Sequence, residues 1–225
     1  MTFSIVARCA DSGQFGIAIS SSSPAVAARC AFARAGVGVV ATQNVTNPAL
    51  GPFVLDQLAA GDDAPTAVAA AIAADGFAEY RQLLAVDVNG NSGVHSGANA
   101  LGIWAAVQGD GCAAGGNLLA DQRVPAAMVH AFATTPGRLG DRLIAALRAA
   151  VDTGGEAGPI HSAGLLIVDT QSWPYAELRI DWVDAGCPVE ALARAWQVFA
   201  PQADAYVTRA LNPVAAPTYG VPGDE

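Results

Sequence analysis

Two runs of alternating side chains open this chain and limit what it can fold into. In "TFSIVAR", Phe3, Ile5 and Ala7 point one way, and Thr2, Ser4, Val6 and Arg8 point the other. In "FGIAISS", Phe15, Ile17 and Ile19 share a face. A period of two marks strands with two different faces. Between the runs, "ADSGQ" supplies the turn residues Asp11, Ser12 and Gly13, so residues 2–21 read as a β-hairpin. The other face of the second run carries Gly16, Ala18 and Ser20, small enough for a backbone or a ligand to approach.

The rest of the chain alternates hairpins with helix pairs. "GVGVVATQN" (36–44) reads as a third strand. Helices are expected over 49–60 and 64–75, the second started by Asp63 and Pro65. "RQLLAVDVNG" and "NSGVHSG" form a hairpin about Asn89-Gly90, and "GIWAAVQGDGCAAGGNLL" holds a strand pair around 108–111. Helices return at 121–134 and 138–152. "SAGLLIVDT" and "YAELRIDWV" are two more strands, and a last helix spans 188–211 with a break at Pro201. Hairpins imply largely antiparallel sheets, and paired helices must cover them. The fold expected is α+β, a four-layer αββα sandwich in one domain over 1–211, with a Pro/Gly-rich tail at 212–225.

Composition excludes several functions. Of 225 residues, 52% are hydrophobic and 14% charged, against about a quarter charged in an average chain. A large core and a homodimer or larger homo-oligomer are expected. The net charge is −9, and all 11 basic residues are scattered arginines. Neither nucleic acid nor an anionic membrane is an expected partner. Without lysine there is no Schiff base and no phosphate-loop lysine, and no cofactor is expected. Cys9, Cys30, Cys112 and Cys187 lack metal-site or disulfide-framework spacing and read as free thiols in a reducing cytoplasm. No signal peptide and no apolar run long enough for a membrane span are seen.

Conventional catalytic signatures are missing: no G-x-S-x-G, no H-E-x-x-H and no phosphate loop. No metal site is expected. Of the three histidines, His161 in "GPIHSAG" is the best placed for chemistry, while His130 reads as structural and His95 as a surface or hydrogen-bonding residue. "LRIDW" puts Arg179 and Asp181 on one strand face as an ion pair, and "RQLLAVD" carries Arg81 and Asp87. Thr2 has two readings. It is an ordinary residue after Met1, or a nucleophile whose own α-amine serves as base once Met1 is removed. That amine has an ordinary pKa near 8, close to working pH. An oxyanion would need fixed donors: Gly116 and Asn117 in "AAGGNLL" are candidates, with Gln43 and Asn44 in "ATQN", His161 and Ser20 toward a substrate.

Taken in order, "TFSIVAR", "GIAIS", "AGVGVVATQN", "YRQLLAVD", "HSGA", "GGNLL", "PAAMVHAF", "GDRLIAALRA", "HSAGLLIVD" and "LRIDW" resemble the bacterial domain of unknown function 1028 family, from residue 2 to about 195. The resemblance implies the N-terminal nucleophile hydrolase fold, with Thr2 at the nucleophile position. Members often have Asp at Cys9 and a Gly-Asp-x-Arg-Gly-x-Gln-Ser-Ala stretch where this chain has "GEAGPIHSA", so Gly158 replaces the arginine and His161 the glutamine. Proteasome-like relatives place a lysine near the threonine; here Arg8 or neutral donors would take its part. The function expected is an amidohydrolase cleaving a C–N bond in a small amide, ureido or lactam compound. The alternative is a non-catalytic ligand-binding or assembly scaffold. A weaker third reading is a hydrolase or lyase using His161 and a carboxylate.

Overall fold

The opening hairpin lies at the centre of a sheet. The computed structural model describes residues 2–223; Met1, whose removal the nucleophile reading requires, and the last two tail residues lie outside them. Strands β1 (Thr2–Arg8) and β2 (Phe15–Ser21) pair antiparallel, Phe3 opposite Ser20 and Arg8 opposite Phe15. The chain continues through α1 (Val26–Cys30), β3 (Ala31–Arg34), β4 (Gly38–Asn44), α2 (Leu50–Ala60) and α3 (Ala64–Ala74). Then come β5 (Arg81–Asp87), β6 (Ser92–Ser96), β7 (Ala105–Gly109), β8 (Cys112–Asn117), α4 (Val124–Thr134) and α5 (Leu139–Asp152). It ends in β9 (Ser162–Val168), β10 (Pro174–Ile180), α6 (Pro188–Phe199) and α7 (Ala203–Leu211). Two antiparallel sheets result, in the orders β10-β9-β2-β1-β8-β7 and β3-β4-β5-β6.

Alternation decides which side chains meet. Phe3, Ile5 and Ala7 join Met128, Leu143, Leu147 and Trp196 in a core between the larger sheet and α4, α5 and α6. Val40, Leu83 and Ala85 join Val54, Leu58 and Val68 against α2 and α3. Val6 and Ile17 of one sheet meet Val39, Ala41, Leu84 and Val86 of the other. Fully burying one such side chain stabilises the fold by about 1.5–3 kcal/mol.

Helix starts follow local chemistry. Asp63 accepts a hydrogen bond from the Thr66 amide at 2.9 Å, an N-cap for α3, with Pro65 in the first turn. Asp121 instead accepts from the Arg123 amide in a turn, so α4 begins at Val124, three residues later than expected. The last helix is two: α6 and α7 are separated by a short 3-10 turn at Ala200–Gln202, where Pro201 removes a donor. The sequence reading has no element between Ser21 and Gly36, whereas the structure has α1 and β3. Five and four residues are too few for a periodicity to register.

The small face of β2 is filled by helix, which corrects the opening expectation. A Cβ on Gly16 would meet Leu143 Cδ1 at 2.6 Å, and Ala18 lies in the same helix-facing core. Room there serves α5 and not a ligand. Arg81 also has a different partner from the one its strand suggests. It pairs with Asp75, while Asp87, at the far end of β5, accepts from the amides of Ala64, Asn89 and Asn91. Arg179 and Asp181 do pair, at 2.9 Å.

Candidate functional site

Strand parity places the Thr2 side chain on the face between the sheets, with Ser4 and Val6. Thr2 is 6% exposed, and its Oγ1 donates toward Ser21 Oγ at 3.4 Å on the neighbouring strand. On its other side the cross-strand partner of Thr2 is Asn117, at the end of β8. Thr2, Ser21 and Asn117 therefore lie abreast across three strands.

Beneath them runs a buried polar chain joining the two sheets. Ser4 Oγ donates to Gln43 Oε1 at 2.7 Å, and Gln43 Nε2 donates to Gln82 Oε1 at 2.8 Å. Asn117 Nδ2 donates to the same Gln82 oxygen at 3.2 Å. Gln82 Nε2 donates to the Gly116 carbonyl at 3.1 Å and to Ser96 Oγ at 3.0 Å. Ser4, Gln43, Gln82 and Asn117 are all fully buried. The direction of every amide follows from one main-chain group. The Gly116 carbonyl can only accept, so it fixes Gln82 Nε2; Gln82 Oε1 then requires the NH2 ends of Gln43 and Asn117. Asn117 Oδ1 is left buried with no hydrogen-bond partner among the described residues.

Glu156 is a candidate site residue that sequence reasoning missed. Its segment bridges to Leu119, just beyond Asn117, and both its carboxylate oxygens accept from the Ser22 amide, at 3.1 and 3.2 Å. Ser22 follows Ser21, whose Oγ accepts from the Ser23 amide at 3.0 Å. Glu156 is 4% exposed, and burial pushes its carboxyl up to about 7, against the opposing Ser22 hydrogen bond. The signal in the sequence is that Glu156 is the one acidic side chain in "GEAGPIHSA".

The remaining expected residues separate. Gly116 sits where a Cβ would meet Leu119 Cδ2 at 2.6 Å and the Thr2 carbonyl at 3.0 Å, so it permits close packing beside Thr2. It is paired on both sides, with Phe3 and Ala105, which commits its amide to the sheet. Asn117 Nδ2 is likewise taken, by Gln82, so neither group is presented as an oxyanion donor. Gln43 belongs to the buried chain. Asn44 (φ 72°) clamps loops: its Nδ2 donates to the Tyr80 carbonyl at 2.6 Å and its Oδ1 accepts from the Leu101 amide. Ser20 points to the opposite face and donates to the Ser162 carbonyl. Arg8 stands at the far end of β1, about 20 Å from Thr2 at ~3.3 Å per residue. His161 keeps near the site through its amide, which donates to the Ser21 carbonyl. Its ring stacks on Trp182 at 4.2 Å, and Nδ1 lies 2.8 Å from the Val183 carbonyl. That oxygen is a carbonyl and not the carboxylate that a His161-based mechanism needs.

Among the described residues no cluster of three or more His, Cys, Asp or Glu could hold a metal, and no helix is long and apolar enough to cross a membrane. The four cysteines are free thiols.

Comparison with known proteins places this geometry in a family. A search of curated proteins returns no match. Among solved structures, protein SPO2555 from Silicibacter pomeroyi, a DUF1028 protein, superposes with a TM-score of 0.82 at 31% identity, covering 88% of this chain and 85% of that one. Anbu, an ancestral β-subunit from Yersinia bercovieri, gives a TM-score of 0.39 at 12% identity, with 91% and 97% covered. An Anbu mutant from Hyphomicrobium sp. strain MC1 gives 0.41 at 15%, also with 91% and 97% covered. The model of the family of unknown function (DUF1028) matches residues 2–192. With the opening strand, the buried amide chain and the Glu156 stretch all inside that match, the chain belongs to the family of unknown function (DUF1028).

Proposed function

We propose that this protein is an N-terminal nucleophile amidohydrolase on a four-layer αββα sandwich, formed as one domain over 1–211. The three core clusters support that layering, since each joins a different pair of faces. The substrate class is a small amide, ureido or lactam compound. After removal of Met1, Thr2 Oγ attacks the carbonyl carbon and the freed α-amine takes the hydroxyl proton. The amine then protonates the departing nitrogen, and water releases the acyl group by the same route reversed. Ser21 orients the Thr2 hydroxyl, and Glu156 holds the turn that carries Ser21.

One observation carries this reading. Thr2 starts its strand with its hydroxyl against Ser21, and its cross-strand neighbour Asn117 carries a buried amide oxygen that has no partner among the described residues. A threonine that merely begins a strand needs neither. The test is a panel of small amides, ureido acids and lactams offered to the chain without Met1. Turnover of at least one, abolished by Thr2→Ala with unchanged circular dichroism, is expected. Equal turnover by Thr2→Ala would contradict the reading.

A scaffold without catalysis is the second reading, favoured by the full burial of Gln43, Gln82 and Asn117, which would serve equally to lock two sheets in register. It predicts that Met1 is retained and that no electrophile labels Thr2.

A further inference from the structure

The buried amide chain has a fixed direction and an open end. A carbonyl oxygen buried without a donor costs free energy that a folded protein ordinarily avoids, so such an atom calls for a partner that arrives later. Asn117 Oδ1 is that atom, on the residue directly across from Thr2. Its amide cannot turn over to hide the oxygen, because Gln82 Oε1 would then face a second acceptor, and Gln82 is held by the Gly116 carbonyl.

We infer that Asn117 Oδ1 accepts the N–H of the scissile amide nitrogen, the one bonded to the carbonyl carbon that Thr2 attacks. This rests on the amidohydrolase reading and narrows its substrate. The scissile nitrogen carries a hydrogen, as in a primary or secondary amide, an N-unsubstituted lactam or a ureido group. Esters and N,N-disubstituted amides are disfavoured, since they leave the buried oxygen without a donor. Asn117 thus contacts substrate as an acceptor, reversing the donor role that its residue type first suggests. As the nitrogen takes up the proton in the tetrahedral intermediate, it keeps an N–H for Asn117 to receive.

Three electrophiles of one shape test this: a β-lactam with a ring N–H, its N-methyl derivative and the corresponding β-lactone. In each the Thr2 hydroxyl adds to the carbonyl, the ring C–N or C–O bond breaks, and the hydroxyl proton passes to the released heteroatom. The adduct therefore has the summed mass of chain and probe. Rates are followed by intact mass and divided by those of threonine amide in solution. The N–H lactam should gain at least about tenfold more from the protein than either analogue. In Asn117→Leu, which has the shape without the acceptor, that advantage should fall to within about threefold. Equal gains for the three probes in the wild-type chain overturn the inference, and that comparison decides even if the variant does not fold. An advantage that survives in a folded Asn117→Leu also overturns it. No Thr2 adduct with any probe instead fails the nucleophile reading, and the inference with it.

Discussion

Thr2 Oγ1 and Ser21 Oγ lie 3.4 Å apart on adjacent strands of the larger sheet, with the Ser23 amide donating to Ser21 from the far side. The hydroxyl that would attack is thus oriented by a hydroxyl that is itself held by main chain. Ser21→Ala removes that orientation without opening a large cavity. Acylation of Thr2 by a β-lactone should slow about tenfold or more. Stability should drop by about 1–3 kcal/mol, since the Thr2 hydroxyl and the Ser23 amide both lose their acceptor. Intact-mass kinetics and urea unfolding measure the two effects separately.

Glu156 should make stability depend on pH. Its carboxyl titrates near 4.5 in the unfolded chain and is raised to about 7 by burial. A raised acid pKa means that the folded state prefers the protonated form. The stabilisation is full below pH 4.5 and is lost as pH climbs through about 7. The whole loss is about 3 kcal/mol, at roughly 1.4 kcal/mol per unit. Glu156→Gln keeps an acceptor for the Ser22 amide and cannot ionise. Denaturant midpoints of the two proteins should converge at pH 5, with the variant the more stable at pH 8. Parallel pH curves would contradict the assignment.

Gln82 is the junction of the buried chain, with bonds to Gln43, Asn117, Ser96 and Gly116. Gln82→Leu leaves several polar groups buried without partners, each costing about 1–3 kcal/mol. A loss of at least about 3 kcal/mol is expected in urea unfolding. A loss under about 1 kcal/mol would mean that the chain does not tie the sheets together.

Much of the fold was legible because its strands alternate cleanly. The parity that separates Phe3, Ile5 and Ala7 from Thr2, Ser4 and Val6 is the parity that separates the helix-facing core from the face between sheets. The starts of α3 and the break before α7 were legible too, through Asp63 and Pro201. What stayed hidden was tertiary. Nothing in "ATQN" or "RQLLAVD" says that Gln43 and Gln82 meet, since the two residues are 39 positions apart on different strands. Arg81 chose Asp75 over Asp87 because β5 is extended and separates its own ends. Asn117 was readable as a polar residue at a strand end, but the direction of its amide depends on a carbonyl that only the folded sheet brings to Gln82. Glu156 was readable only as a position, because its backbone bridge to Leu119 and its hydrogen bond from the Ser22 amide form only in the fold.

The central claim, that Thr2 is a terminal nucleophile, is tested most directly by mass spectrometry of the chain before and after a β-lactone. The expected result is a starting mass lower than the full sequence by one methionine residue, a single adduct of the probe's mass, and fragment ions that place it on Thr2. Retained Met1, or an adduct that persists in Thr2→Ala, would contradict it.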